Sequence, residues 1–259
     1  MFRSRLIPII LIENRGLYKS IKFKNHRYLG DPLNTIRLFN DKEVDELVIL
    51  DIGARKSTKG IDFEYLEKLS SECFMPVCYG GGVDDIFQVE KLFKLGFEKI
   101  SFNTALNEKI DLVNEVANKY GVQSVVASID VKKNIFGKYN IYIENGTKKI
   151  KWNLEEYIKY LQDNGVGEIL LTSIDQEGMM MAYDYELIKL VSGFVNIPVV
   201  ANGGASNLRD CKEAIDYGAS AAAASSIFSY YGKKRAVLVN YPPHNELKDL
   251  FKGAKDDEV

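Results

Sequence analysis

Pro76-Val77-Cys78-Tyr79-Gly80-Gly81-Gly82 and Pro198-Val199-Val200-Ala201-Asn202-Gly203-Gly204 are one phrase written twice, 122 residues apart. The same shift lays Glu46 on Glu168 and Asn103-Thr104 on Ser225-Ser226. Self-similarity at so long a period means that one assembly of strands and helices is used twice. Around the two phrases, short β-branched runs alternate with longer amphipathic stretches, the pattern of repeated βα units on a parallel sheet. The strands are expected near Leu6–Ile12, Glu46–Ile52, Met75–Tyr79, Lys99–Phe102, Ser124–Asp130, Glu168–Thr172, Ile197–Ala201 and Ser220–Ala224. Helical spacing of apolar residues falls in Tyr65–Cys73, Ile86–Leu95, Ile110–Tyr120, Leu154–Asn164, Tyr185–Phe194 and Leu208–Tyr217. Eight parallel strands arranged as two fours close naturally into a (β/α)₈ TIM barrel with a two-fold internal repeat.

The chain length of 259 residues matches one such barrel, so residues 1–259 are read as a single domain. A hydrophobic fraction of 46% supplies enough material for the core. Only the charged end from about residue 252, Lys252-Gly253-Ala254-Lys255-Asp256-Asp257-Glu258, is expected to fray. A net charge of -2 with the two signs interspersed provides no field for a polyanion, which argues against nucleic acid as a partner. Cys73, Cys78 and Cys211 form no C-x-x-C pair, and their odd number argues against a disulfide framework, which fits a reducing cytoplasm. The apolar run Leu6 to Ile12 contains Pro8 and is too short for a membrane span or a signal peptide.

Each half sets a Gly-Gly just after one strand and ends the next strand in hydroxyl or amide residues. Glycine lets backbone N–H groups approach an anion closely, and the helix that follows adds a favourable dipole. Gly81, Gly82, Asn103 and Thr104 therefore form one expected phosphate cradle, and Gly203, Gly204, Ser225 and Ser226 form its mate. Related by the repeat, the two should face each other across the C-terminal mouth, where active sites of this fold lie. A single Gly-Gly would equally serve a tight βα turn; its duplication together with the hydroxyl-bearing strand ends favours phosphate. Asp130 ends the fifth strand and points into the same mouth as a candidate general acid or base, with a helix cap or loop ion pair as its plainer use. Its repeat mate in the first strand is Leu11, so half of an expected carboxylate pair is apolar. Asp51, at the end of the second strand, is the other carboxylate in reach.

At the opposite end, Arg5, Glu46, Lys99 and Glu168 fall at or just before strand starts. Two bases and two acids there could form a neutralised ring, for which a stabilising layer is the commoner use. His26, His244 and Trp152 stand without a constellation around them.

Over nearly its whole length the chain resembles the HisF cyclase subunits of imidazole glycerol phosphate synthase. The resemblance is carried by Arg5-Leu6-Ile7-Pro8, Gly30-Asp31-Pro32, Asp45 to Ile52, Gly80-Gly81-Gly82, Lys99 to Ala105, Val126 to Asp130, Gly167 to Ser173, Ile197 to Ala205 and Ala223 to Phe228. It implies a heterodimer with a HisH-like glutaminase. Ammonia would enter the barrel bottom through a gate formed by Arg5, Glu46, Lys99 and Glu168 and travel to the mouth. It also places Lys19 on a mobile loop after the first strand, among the groups that hold phosphate. The substrate implied is a bis-phosphorylated ribulosyl carboxamide, cleaved and cyclised to imidazole glycerol phosphate, and neither metal nor cofactor is implied.

Two departures bear on that chemistry. HisF subunits use two aspartates; Asp130 matches one and Leu11 replaces the other, and a leucine cannot transfer a proton. The loop that approximates Asp-Gly-Thr-x-x-Gly-Tyr-Asp in HisF is Glu177-Gly178-Met179-Met180-Met181-Ala182-Tyr183-Asp184 here, softer and more apolar. Three readings follow: the cyclase subunit itself, a HisF-like subunit that channels ammonia to amidino-sugar synthesis for bacterial surface polysaccharide, and a non-catalytic scaffold that activates a glutaminase. The kept gate and cradles weigh against the third.

Overall fold

A computed structural model describes residues 4–232 and 234–251, so the charged end from residue 252 lies outside the described residues. Eight parallel strands close on themselves: β1 (Arg5–Glu13), β2 (Leu47–Asp51), β3 (Val77–Gly80), β4 (Lys99–Phe102), β5 (Val125–Lys133), β6 (Glu168–Ser173), β7 (Val199–Asn202) and β8 (Ala221–Ala224). Each pairs with its sequence neighbour, and β8 returns to β1 through Leu6↔Ala222 and Ile7↔Ala223. The result is the (β/α)₈ barrel.

The two halves repeat in register as well as in sequence. Val48↔Cys78 in the first half corresponds to Leu170↔Val200 in the second, and Leu50↔Gly80 corresponds to Thr172↔Asn202. Leu11 faces Leu50 as Asp130 faces Thr172, which sets Leu11 at the place of Asp130.

Alternation along each strand divides the side chains between two cores. In β1, Leu6, Ile10 and Ile12 point outward and pack under the helices, while Ile7 and Ile9 point inward. Val48, Cys78, Val126, Leu170, Val200, Ala221 and Ala223 join them, so the lumen is filled by apolar side chains.

The outer layer is α1 (Pro32–Asp41), α2 (Phe63–Ser71), α3 (Ile86–Lys94), α4 (Ile110–Tyr120), α5 (Leu154–Asp163), α6 (Tyr185–Ser192), α7 (Leu208–Asp216) and α8 (His244–Phe251). Asp31, Asp62, Asp85, Asn153, Asp184 and Asn207 cap the starts of α1, α2, α3, α5, α6 and α7, each side chain accepting from a backbone N–H of the first turn. Helices α1 and α8 add to those read from spacing alone. No helix among the described residues is long and apolar enough to cross a membrane.

Two hairpin arms rise from the mouth. The first, Gly16–Ile21 with Lys24–Gly30, pairs antiparallel with the end of β1 through Leu11↔Tyr18. The second, Tyr139–Ile143 with Lys148–Lys149, pairs with the end of β5 through Asp130↔Tyr142. Lys19, expected on a loop, therefore sits in a strand of the first arm.

Candidate functional site at the mouth of the barrel

The arms cross the mouth and tie down on the far side. The backbone N–H of Lys22 donates to the carbonyl oxygen of Glu177 at 3.0 Å, and Asn145 donates from its amide to the carbonyl oxygen of Ile52 at the same distance. Beneath them lies a cavity of about 160 Å³. Its wall holds the mouth residues singled out from the sequence: Leu11, Lys19, Asp51, Gly81, Gly82, Asn103, Thr104, Asp130, Gly203, Gly204, Ser225 and Ser226.

Backbone shape makes the glycines of both cradles obligatory. Gly81 has φ +140, and a Cβ there would lie 2.4 Å from the carbonyl oxygen of Asp51. Gly204 has φ +118, and its Cβ would lie 2.1 Å from the carbonyl oxygen of Ala182. Left-handed φ together with backbone at that distance admits no side chain. Straight after β4 and β8 come the short helices Thr104–Glu108 and Ser226–Ser229, whose first N–H groups have no partner within their own helix, and Thr104 and Ser226 line the cavity. Asn103 and Ser225 stand just ahead of them, and their side chains serve the barrel. The amide of Asn103 donates to the carbonyl oxygen of Ser128 at 2.9 Å, and the Ser225 hydroxyl donates to the equivalent carbonyl of Ile9. The Thr104 hydroxyl oxygen accepts the N–H of Glu144, from the second arm, at 3.3 Å. An anion in either cradle would thus meet mainly backbone N–H groups.

Asp130 is buried, and burial pushes its carboxyl up to about 7, against the hydrogen bond from the Thr172 hydroxyl and with help from the charge of Glu177. The Asn103 amide also donates to it, at 3.1 Å. Asp51 reaches the cavity, but its Oδ1 accepts the N–H groups of Gly53 and Ala54 at 2.9 Å each, so it also shapes the loop after β2. Burial raises the Asp51 carboxyl in spite of those bonds.

Lys19 is 5% exposed; burial draws its ammonium down to about 8, and the Glu177 carboxylate partly offsets that. Glu177 accepts the Ser20 hydroxyl at 3.1 Å and the Phe23 N–H at 3.2 Å, and burial raises its carboxyl although Lys19 pulls the other way. Sequence reasoning saw Glu177 only as part of a divergent loop. It also gave no role to His26, Arg55, Thr172 and Asn202, all of which line the cavity. Asn202 donates to the Thr172 hydroxyl at 3.0 Å. Their positions at the C-terminal ends of strands were the available signal for Thr172 and Asn202.

At the opposite end the four charges do come together. Lys99 donates to Glu46 at 2.9 Å and to Glu168 at 2.7 Å, and Arg5 bonds the same two carboxylates. Burial works against the charges of Arg5 and Lys99, but Glu168 and Glu46 more than offset it and hold both cations above their ordinary values. Burial likewise opposes the charge on Glu168, yet Arg5 and Lys99 hold that carboxyl below the usual range. The apolar lumen separates this closed ring from the cavity, and just inside the cavity the buried hydroxyl of Ser101 has no hydrogen-bond partner among the described residues.

Comparison with known proteins gives the arrangement a context. The profile of the family described as "Histidine biosynthesis protein" matches residues 5–235. A Pseudomonas aeruginosa protein named "Putative imidazole glycerol phosphate synthase subunit hisF2" is 44% identical over 95% of this chain and 99% of its own length. One from Leptospira borgpetersenii, "Putative imidazole glycerol phosphate synthase subunit HisF", is 42% identical over 97% of this chain and 100% of its own. The "Imidazole glycerol phosphate synthase subunit HisF" of Dictyoglomus thermophilum is 36% identical over 89% and 91%.

Proposed function

The chain belongs to the histidine biosynthesis protein family, among relatives named as HisF subunits of imidazole glycerol phosphate synthase, and from that premise we propose that it is the ammonia-using synthase subunit of a glutamine amidotransferase pair, carried on a single barrel domain. The observation that carries this reading is the placing of the ring of Arg5, Glu46, Lys99 and Glu168 at one end of the apolar lumen and of a cavity walled by two glycine cradles and Asp130 at the other. Ammonia is small and neutral and crosses an apolar lumen that excludes ammonium and bulk water, because burying an unpaired charge is far more costly. Glutaminase and synthase therefore work as a heterodimer, with the HisH-like partner on the ring side. Opening the passage requires the ring to part, and Lys99, a flexible point charge with three donors, is the member best suited to swing. On arrival, ammonia meets the unpartnered Ser101 hydroxyl.

At the mouth, Gly81, Gly82 and Thr104 hold one terminal phosphate and Gly203, Gly204 and Ser226 the other. Asn103 and Ser225 fix the strand ends, and Lys19 adds a cation above the ligand. A carboxyl near 7 exchanges its proton readily at neutral pH, which suits Asp130 to act as acid in one step and base in another. With Asp51 engaged by backbone N–H groups, Asp130 carries the proton chemistry with water or Asp51 as its partner. The substrate on this reading is the family's bis-phosphorylated ribulosyl carboxamide.

Leu11 favours a second reading, in which the same subunit channels ammonia to a different acceptor, such as an amidino-sugar precursor of bacterial surface polysaccharide. One experiment decides. Purified protein supplied with ammonium and the ribulosyl carboxamide should release imidazole glycerol phosphate, and Asp130→Asn should abolish that turnover. Absence of turnover in the natural chain, with activity gained by Leu11→Asp, would shift the reading to the second acceptor. Loss of glutaminase copurification on Lys99→Glu is the expected result for the partner, and an unchanged glutaminase yield would remove it.

A further inference from the structure

The two halves of the barrel share a backbone but differ in the chemistry of the mouth. On one side of the mouth, at the ends of β4 to β7, stand the polar side chains of Asn103, Asp130, Thr172 and Asn202. The Asn103 amide donates to Asp130 at 3.1 Å, the Asn202 amide donates to Thr172 at 3.0 Å, and Thr172 stands beside Asp130 in the paired strands. Their repeat mates, on the other side of the mouth, are Ser225, Leu11, Leu50 and Gly80, set by the matching registers Leu11↔Leu50 and Leu50↔Gly80. The Ser225 hydroxyl is turned to the Ile9 carbonyl. Leu50 leans over Gly80, where an added Cβ would meet its Cδ2 at 2.9 Å. Leu11 and Leu50 both line the cavity and rest on the apolar lumen.

A molecule held at both ends by the two cradles must lie between these walls, one able to hydrogen-bond and one hydrocarbon. We propose that Leu11 and Leu50 are specificity-determining residues, and that the bis-anionic ligand of this cavity carries a hydrocarbon edge at its midsection, as alkyl carbons or an alkyl or acyl substituent, opposite an edge that hydrogen-bonds to Asp130, Thr172 and Asn202. The proposal rests on the two-cradle reading of the mouth and narrows the class of acceptor within it. Its physical basis is the asymmetry between contacts. Each CH₂ buried against the leucines gains roughly 0.8 kcal/mol, close to a fourfold change in affinity. A hydroxyl or charge pressed against them loses its hydration with nothing in return.

The test compares two linear bisphosphates of equal chain length, an alkane-α,ω-diol bisphosphate and an oligoethylene glycol bisphosphate, by calorimetric titration into the full-length purified chain. The alkane ligand should bind at least about tenfold more tightly, the effect of burying two or more CH₂ groups. Leu11→Asp should cut or reverse that preference, and Leu50→Thr, which copies the other half of the barrel, should reduce it as well. The second variant guards against loss of folding in the first. Equal affinity of the natural chain for both ligands, or a preference that survives both substitutions, would overturn the proposal and leave the two-cradle reading intact. No binding of either ligand would remove that reading and this proposal together.

Discussion

Glu168→Gln tests the charged ring with a single atom exchanged. Glu168 accepts from both Arg5 and Lys99, so the neutral amide leaves two cations sharing Glu46 alone. Removing one partner from a buried ion pair costs about 3–5 kcal/mol, because the remaining charge stays desolvated. Here the side chains of Arg5 and Lys99 keep 31% and 20% of their exposure, so water relieves part of that penalty. A loss of about 2–3 kcal/mol near pH 7 is the expected result, which for a chain of this size lowers Tm by roughly 5–10 °C. The pH dependence is fixed by the direction of the shift. A carboxyl held below its ordinary value of 4.5 contributes its stability above that value and loses it as the pH falls through the lowered folded value. Urea unfolding of the two proteins should therefore show the full difference from pH 6 to 8, and a difference that shrinks as the solution is taken below 4.5. Because the carboxylates are buried, high salt should leave most of the neutral-pH difference in place. A loss below about 0.5 kcal/mol at pH 7, the range of exposed pairs, would show that the ring is solvated and loosely held. A difference that stayed constant with pH would show that the charge on Glu168 is not what the two cations require.

Gly81→Ala should lower stability by roughly 2–4 kcal/mol in urea unfolding and abolish calorimetric binding of inorganic phosphate at its cradle, since backbone oxygen occupies the place of the new Cβ; Gly60→Ala, with left-handed φ but open space, should cost only about 1 kcal/mol and leave phosphate binding unchanged. Asp130→Asn should stabilise the fold at pH 8. A carboxyl raised to about 7 lowers stability progressively as the pH climbs from its ordinary 3.8 through 7, so the gain must vanish in acid, and a variant equally stable at both ends would contradict the burial of that charge. Glu177→Ala should speed hydrogen exchange at the Phe23 amide by about tenfold, the worth of one lost hydrogen bond, while the Lys22 amide, bonded to the backbone oxygen of Glu177, keeps most of its protection; equal acceleration at both would mean that the whole arm comes free.

The barrel was legible because its repeat is written in residues that answer to backbone geometry. Gly81 and Gly204 sit where only glycine fits, so their phrases survive in both halves. The charged ring was also legible, since alternation along each strand carries residues at strand starts into the lumen. The hairpin arms were not. Lys22 and Phe23 turn the first arm with φ +54 and +60, without the glycine that ordinarily marks such a turn, and Lys24 to Leu29 show no buried alternation. The second arm did carry a signal in Asn145-Gly146, and α1 carried one in Asp31-Pro32, a cap followed by proline in the first turn. The role of Glu177 could not be read from its neighbours in sequence, because its partners Ser20 and Phe23 meet it only once the arm crosses the mouth.

A repeat also separates what the fold requires from what the chemistry requires. Wherever the two halves agree, as at the cradle glycines and at Glu46 and Glu168, one backbone constraint or one lumen position explains both copies. Where they part, at Leu11 and Asp130, Leu50 and Thr172, Gly80 and Asn202, the strands keep the same register with either residue. One backbone accepts either residue at those positions once its neighbours match, as Leu50 over Gly80 shows, so the difference is to be sought in what the mouth holds. The asymmetry is concentrated on one wall of one cavity, and for that reason the identity of the ligand, rather than the stability of the barrel, is the quantity that substitutions at Leu11 and Leu50 should change.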